Sequence, residues 1–409
     1  MTETSKLPLS KLRVLELGST IAGPFCGRLL ADFGAHVIKV EGPTGDALRN
    51  IGHQYHGKSL YAASLFRNKS TIVVDLRKPE GQEVIKALAA KCDVVIENFR
   101  PGMLESWGLG YQALKAINPG IVLTRISGFG QTGPYSQRPG YGVIGEAISG
   151  LRSINGDPDR PPVRMATALT DYITGLYGAF GTLVALFNRQ FTGLGQEVDA
   201  ALSECAFSFM EPYVPVYEKT GEIVQRSGSR LPGANPNNLY ATKDQQFIHI
   251  AAFSDPMYKR LCTAMGQLEL SNDARFALAQ SRNENLDELD DIISLWTTAH
   301  PLIELEKVLE AAGVPATRIF TIADIFADPH YRARGMLVQA PDEDMGTVTL
   351  VAPVPRLGDT PGLIAHAGHS VGQDTRLVLR EVAEYSDEKI DDLISAKIVF
   401  ENSSAINKD

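Results

Sequence analysis

The chain has 409 residues, 44% of them hydrophobic, and its 48 acidic side chains outnumber 39 Lys and Arg for a formal net charge of -9. That length predicts two domains rather than one core, and the acidic balance excludes nucleic acid as main partner, because phosphate binding needs a concentrated basic surface. Cys26, Cys92, Cys205 and Cys262 form no CxxC pair, the eight histidines have no metal-ligand spacing, and no apolar run is long enough to span a bilayer, which excludes a disulfide framework, a metal site and a membrane span. The polar start, Met1 to Lys11, carries no apolar signal core, so the expected location is the cytoplasm.

In chain order, residues 12–17 read as an apolar strand, 18–23 as a turn, 24–33 as a helix opened by Pro24, and 36–41 as a second strand. That is a βαβ unit of minimal length, which requires parallel strands. Strands over 70–75, 93–97 and 120–126 alternate with helices over 79–90, 101–107 and 111–117, giving an α/β class with a Rossmann-like parallel sheet. A long helix over 170–189, a strand over 196–200 and a helix over 203–213 follow. The Pro/Gly/Asn-rich stretch 228–238 is the candidate linker or mobile loop. A separate α/β segment opens at 247–252. Residues 346–351 and a terminal helix over 385–397 can return to the first domain, and the tail from Glu401 to Asp409 is expected to fray.

The turn from Gly18 to Gly23 imitates a dinucleotide fingerprint, and Glu41 stands where a ribose-binding acid would. Its middle position, however, is Thr20, and glycine there is what admits the pyrophosphate. A tight strand-to-helix turn explains Gly18 and Gly23.

Asp171 heads the long helix, and Gly175, Gly178 and Thr182 continue its face. Glycine inside a helix costs about 1 kcal/mol against alanine, so Gly175, Gly178 and Gly181 call for close approach by another backbone or by a ligand. By residue type alone, an N-capping aspartate on a tightly packed helix is the favoured reading of Asp171.

The run of Asp171, Gly175-Leu176-Tyr177 and Thr192-Gly193-Leu194-Gly195-Gln196-Glu197-Val198-Asp199 resembles the signature of the class III CoA-transferases, the formyl-CoA transferase family. Ala22-Gly23-Pro24, Asn68-Lys69-Ser70, Glu97-Asn98-Phe99-Arg100-Pro101-Gly102, Ser127-Gly128-Phe129-Gly130 and Gly313-Val314-Pro315 agree in order. The texture is closest to the dicarboxylate-handling branch, which implies succinyl-CoA as donor. The resemblance implies a large CoA-binding domain over 1–224, a smaller α/β domain over 225–325, a segment 326–409 returning to the large domain, and an interlocked homodimer. Acyl-CoA and a carboxylic acid are then the substrates, with no permanently bound cofactor.

The family's catalytic aspartate falls on Asp171, which would be acylated to an anhydride and then carry CoA as a thioester. The CoA-contacting segments fall on Ile21 and Ala22, on Val74, Asp75, Leu76 and Arg77, and on Asn98, Phe99 and Arg100. Tyr141 would line the acyl pocket. A loop that seals the aspartate from water would lie within 228–238. Two basic residues of the family are Gly42 and Ser106 here, so Lys39, Arg49 or Arg138 would take over the phosphates. Many relatives have aspartate where this chain has Gly142, which argues against a formyl or oxalate substrate. A dicarboxylate acceptor calls for a cation, for which Arg49, Arg138 and Arg164 are candidates.

Two rival readings share the motifs. An α-methylacyl-CoA racemase needs a histidine near Tyr141, yet none occurs between His56 and His249. A non-catalytic CoA-binding protein would leave Asp171 to packing alone.

Overall fold

The structure is a computed structural model that describes residues 7–402, so most of the polar start and of the expected frayed tail lies outside the described residues. It divides into two compact units. One comprises 7–151, 165–218 and 331–402; the other comprises Arg152–Arg164 and Lys219–His330. Residues 152–164, read as part of the first domain, thus belong to the smaller unit. The stretch 228–238 lies inside that unit and is no linker.

The large unit is built on six parallel strands: β1 (Arg13–Glu16), β2 (His36–Glu41), β3 (Lys69–Val74), β4 (Val94–Glu97), β5 (Val122–Ser127) and β6 (Glu197–Ala201). Their spatial order is 3-2-1-4-5-6, and Val399–Phe400 pairs antiparallel along the free edge of β3. Leu15 of β1 lies between Ile38 of β2 and Val95 of β4. Successive side chains point to opposite faces, and both faces are covered, so the strands read as continuous apolar runs. Leu15, Ile38, Ile72, Val95 and Leu123 pack with Val84, Leu88 and Ile390. Val14, Val37, Val94 and Val122 pack on the other face with Cys26, Leu30, Ala179 and Ala185.

Six helices matter for the site. They are α1 (Ala22–Asp32), α2 (Pro79–Ala89), α3 (Tyr111–Ile117), α4 (Gly142–Ile148), α5 (Leu169–Thr192) and α6 (Leu202–Phe207). Helix α5 is longer than expected at both ends and stops at Gly193, whose φ of 70° makes the left-handed cap that glycine accepts without strain. Its glycines are explained by packing. A Cβ on Gly175 would lie 2.7 Å from the Ala22 carbonyl oxygen of α1, and one on Gly181 would lie 2.6 Å from Val198 of β6. Close approach to a backbone and a strand, not to a ligand, offsets the helical cost.

The smaller unit has a three-stranded antiparallel sheet of β7 (Asn237–Ala241), β8 (Phe247–Ala251) and β9 (Ala316–Arg318), with β8 in the middle. Ile248, Ile250, Leu261, Phe276, Ile293 and Leu305 form its core. Arg230, from the Pro/Gly-rich stretch, is held by Asp287 and Asp290 of the helix Leu286–Ala299. Among the described residues no helix is long and apolar enough to cross a membrane, and all four cysteines are buried free thiols.

Candidate active site

In an open parallel sheet the ligand crevice lies outside the carboxyl ends of the strands where the strand order reverses. Here that point falls between β1 and β4. The chain leaving β1 turns sharply, so that a Cβ on Gly18 would come within 3.1 Å of the Gly23 Cα. Thr20 takes a φ of 67°, a conformation that costs a β-branched residue about 1–3 kcal/mol and persists only where its surroundings enforce it. Three side chains enforce it. Lys39 donates to the Gly18 carbonyl at 2.8 Å, the Asn98 amide brackets Ser19 with two bonds of 2.8 Å, and Asp46 accepts from the Thr20 N–H at 3.1 Å.

These bonds correct two expectations about charge. Lys39 is fully buried and spends its ammonium on Gly18, on Asp46 at 2.8 Å and on Glu16 at 3.5 Å, so it is no phosphate contact. Burial alone would push Asp46 up, but the Lys39 ammonium and the Leu48 and Thr20 amides hold it below the usual carboxylate range. Arg49 donates to Glu41 at 2.7 Å and to the His369 carbonyl at 3.0 Å, and Glu41 also accepts from the Asp46 N–H at 2.7 Å. A buried carboxylate must recruit a cation; Glu41 therefore takes Arg49 and is left with no role toward a ribose, while Arg49 has none toward a phosphate or acceptor acid.

The crevice itself is a cleft of about 260 Å³. Asp171, Ile21, Ala22, Asn98, Phe99, Arg100, Arg138 and Tyr141 all line it. Arg100 and Arg138 are exposed, and among the described residues neither has an acidic partner. The Arg138 guanidinium lies 3.6 Å from the centre of the Tyr135 ring. Tyr141 is 73% exposed, so it is open to a ligand rather than packed in a core. Beside Asn98, Glu97 fixes the turn by accepting from the Phe99 N–H at 2.7 Å. Burial pushes Glu97 up to about 7 against the pull of Arg125.

Four expected CoA contacts do not line this cleft. Val74 is fully buried and pairs with Val399, Leu76 packs on the core, and Asp75 holds Arg77 at 2.8 Å. They occupy the same carboxyl edge of the sheet, two strands away from β1. Arg164, a candidate acceptor-binding cation, is exposed in the smaller unit.

Asp171 is the third residue of α5 and is half-buried; the N-cap position belongs to Ala168. Asp171 is therefore not the N-cap residue, although it stands in the first turn of the helix. Next to it, Tyr172 packs edge-on against Phe25 of α1 at 4.7 Å and its hydroxyl donates to Tyr61 at 2.9 Å, anchoring the helix head. Among the described residues no histidine lines the cleft, so a histidine for proton abstraction is missing. Ser19, Thr20, Ser127, Gly128, Ser136 and Gly140 also line it. They went unremarked as ligand contacts in the sequence, although the rule that ligands gather at the carboxyl ends of β1, β4 and β5 points to several of them.

Residues 9–375 match the model of CoA-transferase family III. The chain is 45% identical over 394 residues to the succinyl-CoA–D-citramalate CoA-transferase of Chloroflexus aurantiacus, covering 96% of this chain and 98% of that one. It is 34% identical over 400 residues to human succinyl-CoA:glutarate CoA-transferase, covering 97% and 91%. The crystal structure of a CAIB/BAIF family protein from Brucella suis superimposes with a TM-score of 0.82 at 35% identity, covering 92% of this chain and 99% of that one. Matched in sequence and in fold over nearly its whole length, the chain belongs to CoA-transferase family III.

Proposed function

We propose that the protein moves CoA from succinyl-CoA to a second carboxylic acid with Asp171 as the covalent carrier. The observation that supports this most is a carboxylate at the head of α5 in one cleft with Arg100 and Arg138, two exposed arginines with no acidic partner among the described residues. An Asp171 oxygen attacks the thioester carbonyl and expels CoA thiolate, leaving an aspartyl–succinyl anhydride. The thiolate attacks the aspartyl carbonyl, succinate leaves, and an aspartyl-CoA thioester remains. The acceptor carboxylate then displaces the thiolate to form a second anhydride, and the thiolate returns to the acceptor's acyl carbon and frees Asp171. A carboxylate is a weak nucleophile, so it needs fixed orientation, and both intermediates hydrolyse unless water is kept out.

Ile21, Ala22, Asn98 and Phe99 are assigned to the CoA arm, Arg100 and Arg138 to its phosphates, and Tyr141 to the acyl group. Names of relatives that act on citramalate, malate or glutarate favour a dicarboxylic acceptor. A cytoplasmic homodimer is part of the same reading. Leu176, Phe180, Phe187 and Phe191, spaced along α5, are 56–73% exposed, an apolar face of the kind that marks a protein interface.

The test is exchange of labelled succinate into succinyl-CoA, which needs no identified acceptor. Asp171→Ala should lose exchange by about three orders of magnitude or more while still binding CoA. Hydroxylamine should modify Asp171 in wild type incubated with succinyl-CoA. Near-wild-type exchange by the variant would remove Asp171 from the mechanism. Exchange of the α-proton without carboxylate exchange would support a racemase instead.

A further inference from the structure

Arg138 reaches the cleft from a short loop that stacks three side chains. The chain from Gly133 to Arg138 closes two tight turns: the Ser136 N–H donates to the Gly133 carbonyl at 3.3 Å, and the Arg138 N–H donates to the Tyr135 carbonyl at 2.8 Å. A bond from residue i to residue i+3 brings the two back beside each other. Here it accompanies a guanidinium set over the Tyr135 ring, 3.6 Å from its centre. The ring is braced in turn. Phe129 meets it edge-on, with centres 6.0 Å apart and planes at 78°, and a Cβ on Gly140 would lie 3.4 Å from the Phe129 ring and 2.8 Å from the Gly128 Cα. Main chain therefore backs the whole stack.

The stack decides how a cation with no acidic partner is held. A carboxylate would neutralise the guanidinium and occupy its N–H groups. The face of an aromatic ring attracts the cation through its quadrupole and leaves the in-plane N–H groups free for an anion. Arg138 is exposed, and a long exposed side chain must give up rotamer freedom when a ligand fixes it. The ring limits that freedom before any ligand arrives. Tyr135 is not among the residues that line the cleft, whereas Ser136 and Arg138 are. It is also 41% exposed, so core packing does not account for it.

We infer that Tyr135 is a positioning residue for the donor's phosphates: its ring holds the Arg138 guanidinium at the cleft without neutralising it. The inference rests on the assignment of Arg138 to the CoA phosphates. A cation–π contact at an exposed site corresponds to about a 2- to 5-fold change in affinity. Loss of the ring should therefore weaken donor binding by that factor and leave the chemistry at Asp171 untouched.

The experiment is Tyr135→Leu in the succinyl-CoA/labelled-succinate exchange, with Tyr135→Phe as the conservative variant and both repeated in an Arg138→Ala background. Leucine keeps an apolar side chain but offers no π face. Tyr135→Leu should raise the KM for succinyl-CoA by about 2- to 5-fold, with kcat and melting temperature little changed, while Tyr135→Phe stays within about 1.5-fold of wild type. In the Arg138→Ala background Tyr135→Leu should have no further effect, because the ring acts only through the cation. A KM for Tyr135→Leu within about 1.5-fold of wild type would overturn the inference. So would an equal loss in the Arg138→Ala background, a Tyr135→Phe variant as impaired as Tyr135→Leu, or a kcat and melting temperature that fall together with affinity, because Tyr135 would then serve packing or the ligand directly. Arg138→Ala alone separates the two levels. If it leaves KM unaltered, the phosphate assignment fails and the inference with it; if it raises KM while Tyr135→Leu is normal, only the role of Tyr135 falls.

Discussion

Asp32, the last residue of α1, offers the sharpest stability test of the large unit. Its carboxylate is 1% exposed and receives the fully buried Arg67 through two bonds, Nε to Oδ1 at 2.9 Å and Nη2 to Oδ2 at 2.6 Å. Asn68 adds a third at 3.1 Å. The remaining guanidinium donor reaches the Val351 carbonyl at 2.7 Å, so this pair ties the returning C-terminal segment to α1. Arginine cannot shed its charge in a protein, so Asp32→Asn leaves a buried cation with no counter-charge. Breaking such a pair by one partner costs about 3–5 kcal/mol. With an m-value near 3 kcal/mol per molar urea, the midpoint should fall by roughly 1–1.7 M. The assay is urea unfolding followed by Trp107 fluorescence in a Trp296→Phe background, since Trp296 belongs to the smaller unit. Replacing both partners by apolar side chains, Asp32→Leu with Arg67→Met, should recover much of the loss. A single variant within about 1 kcal/mol of wild type would refute the reasoning.

Three further outcomes are expected. Asp46 is held below the ordinary carboxylate value in the fold, so its stabilisation is present above about pH 4 and is lost as pH falls through its folded value; the gap in stability between wild type and Asp46→Asn should be level from pH 6 to 5 and shrink towards pH 3. Gly175→Val should cost about 1–3 kcal/mol by overpacking, because the Ala22 carbonyl it meets is main chain and cannot turn aside; thermal unfolding measures it. Arg138→Ala should raise the KM for succinyl-CoA by about 10- to 100-fold, the worth of one charge-assisted bond, with kcat little changed. An unaltered KM would take Arg138 off the phosphates.

Local periodicity sufficed for what is local. The alternation of apolar runs with helical stretches specified parallel βα units, and strand ends came within a residue or two, because a strand buried on both faces and the helix that covers it each leave a pattern a few residues long. The glycines at 175, 178 and 181 announced a close approach, although not to what. Motif resemblance brought Asp171, Asn98-Phe99-Arg100 and Arg138 forward as site residues, and all of them line one cleft. Which charges remain available was another matter. Lys39, Arg49 and Arg77 look like free cations in the sequence, yet each meets a carboxylate, and Asn98 faces Ser19 from 79 positions away. Strand order decides such meetings. With β1 and β4 adjacent and the order reversing between them, the residues after each strand share a crevice, whereas those after β3 lie two strands off. The cost of burying an unpaired charge fixes pairing only once the fold has chosen the neighbours, and nothing in the spacing of residues along the chain carries that choice.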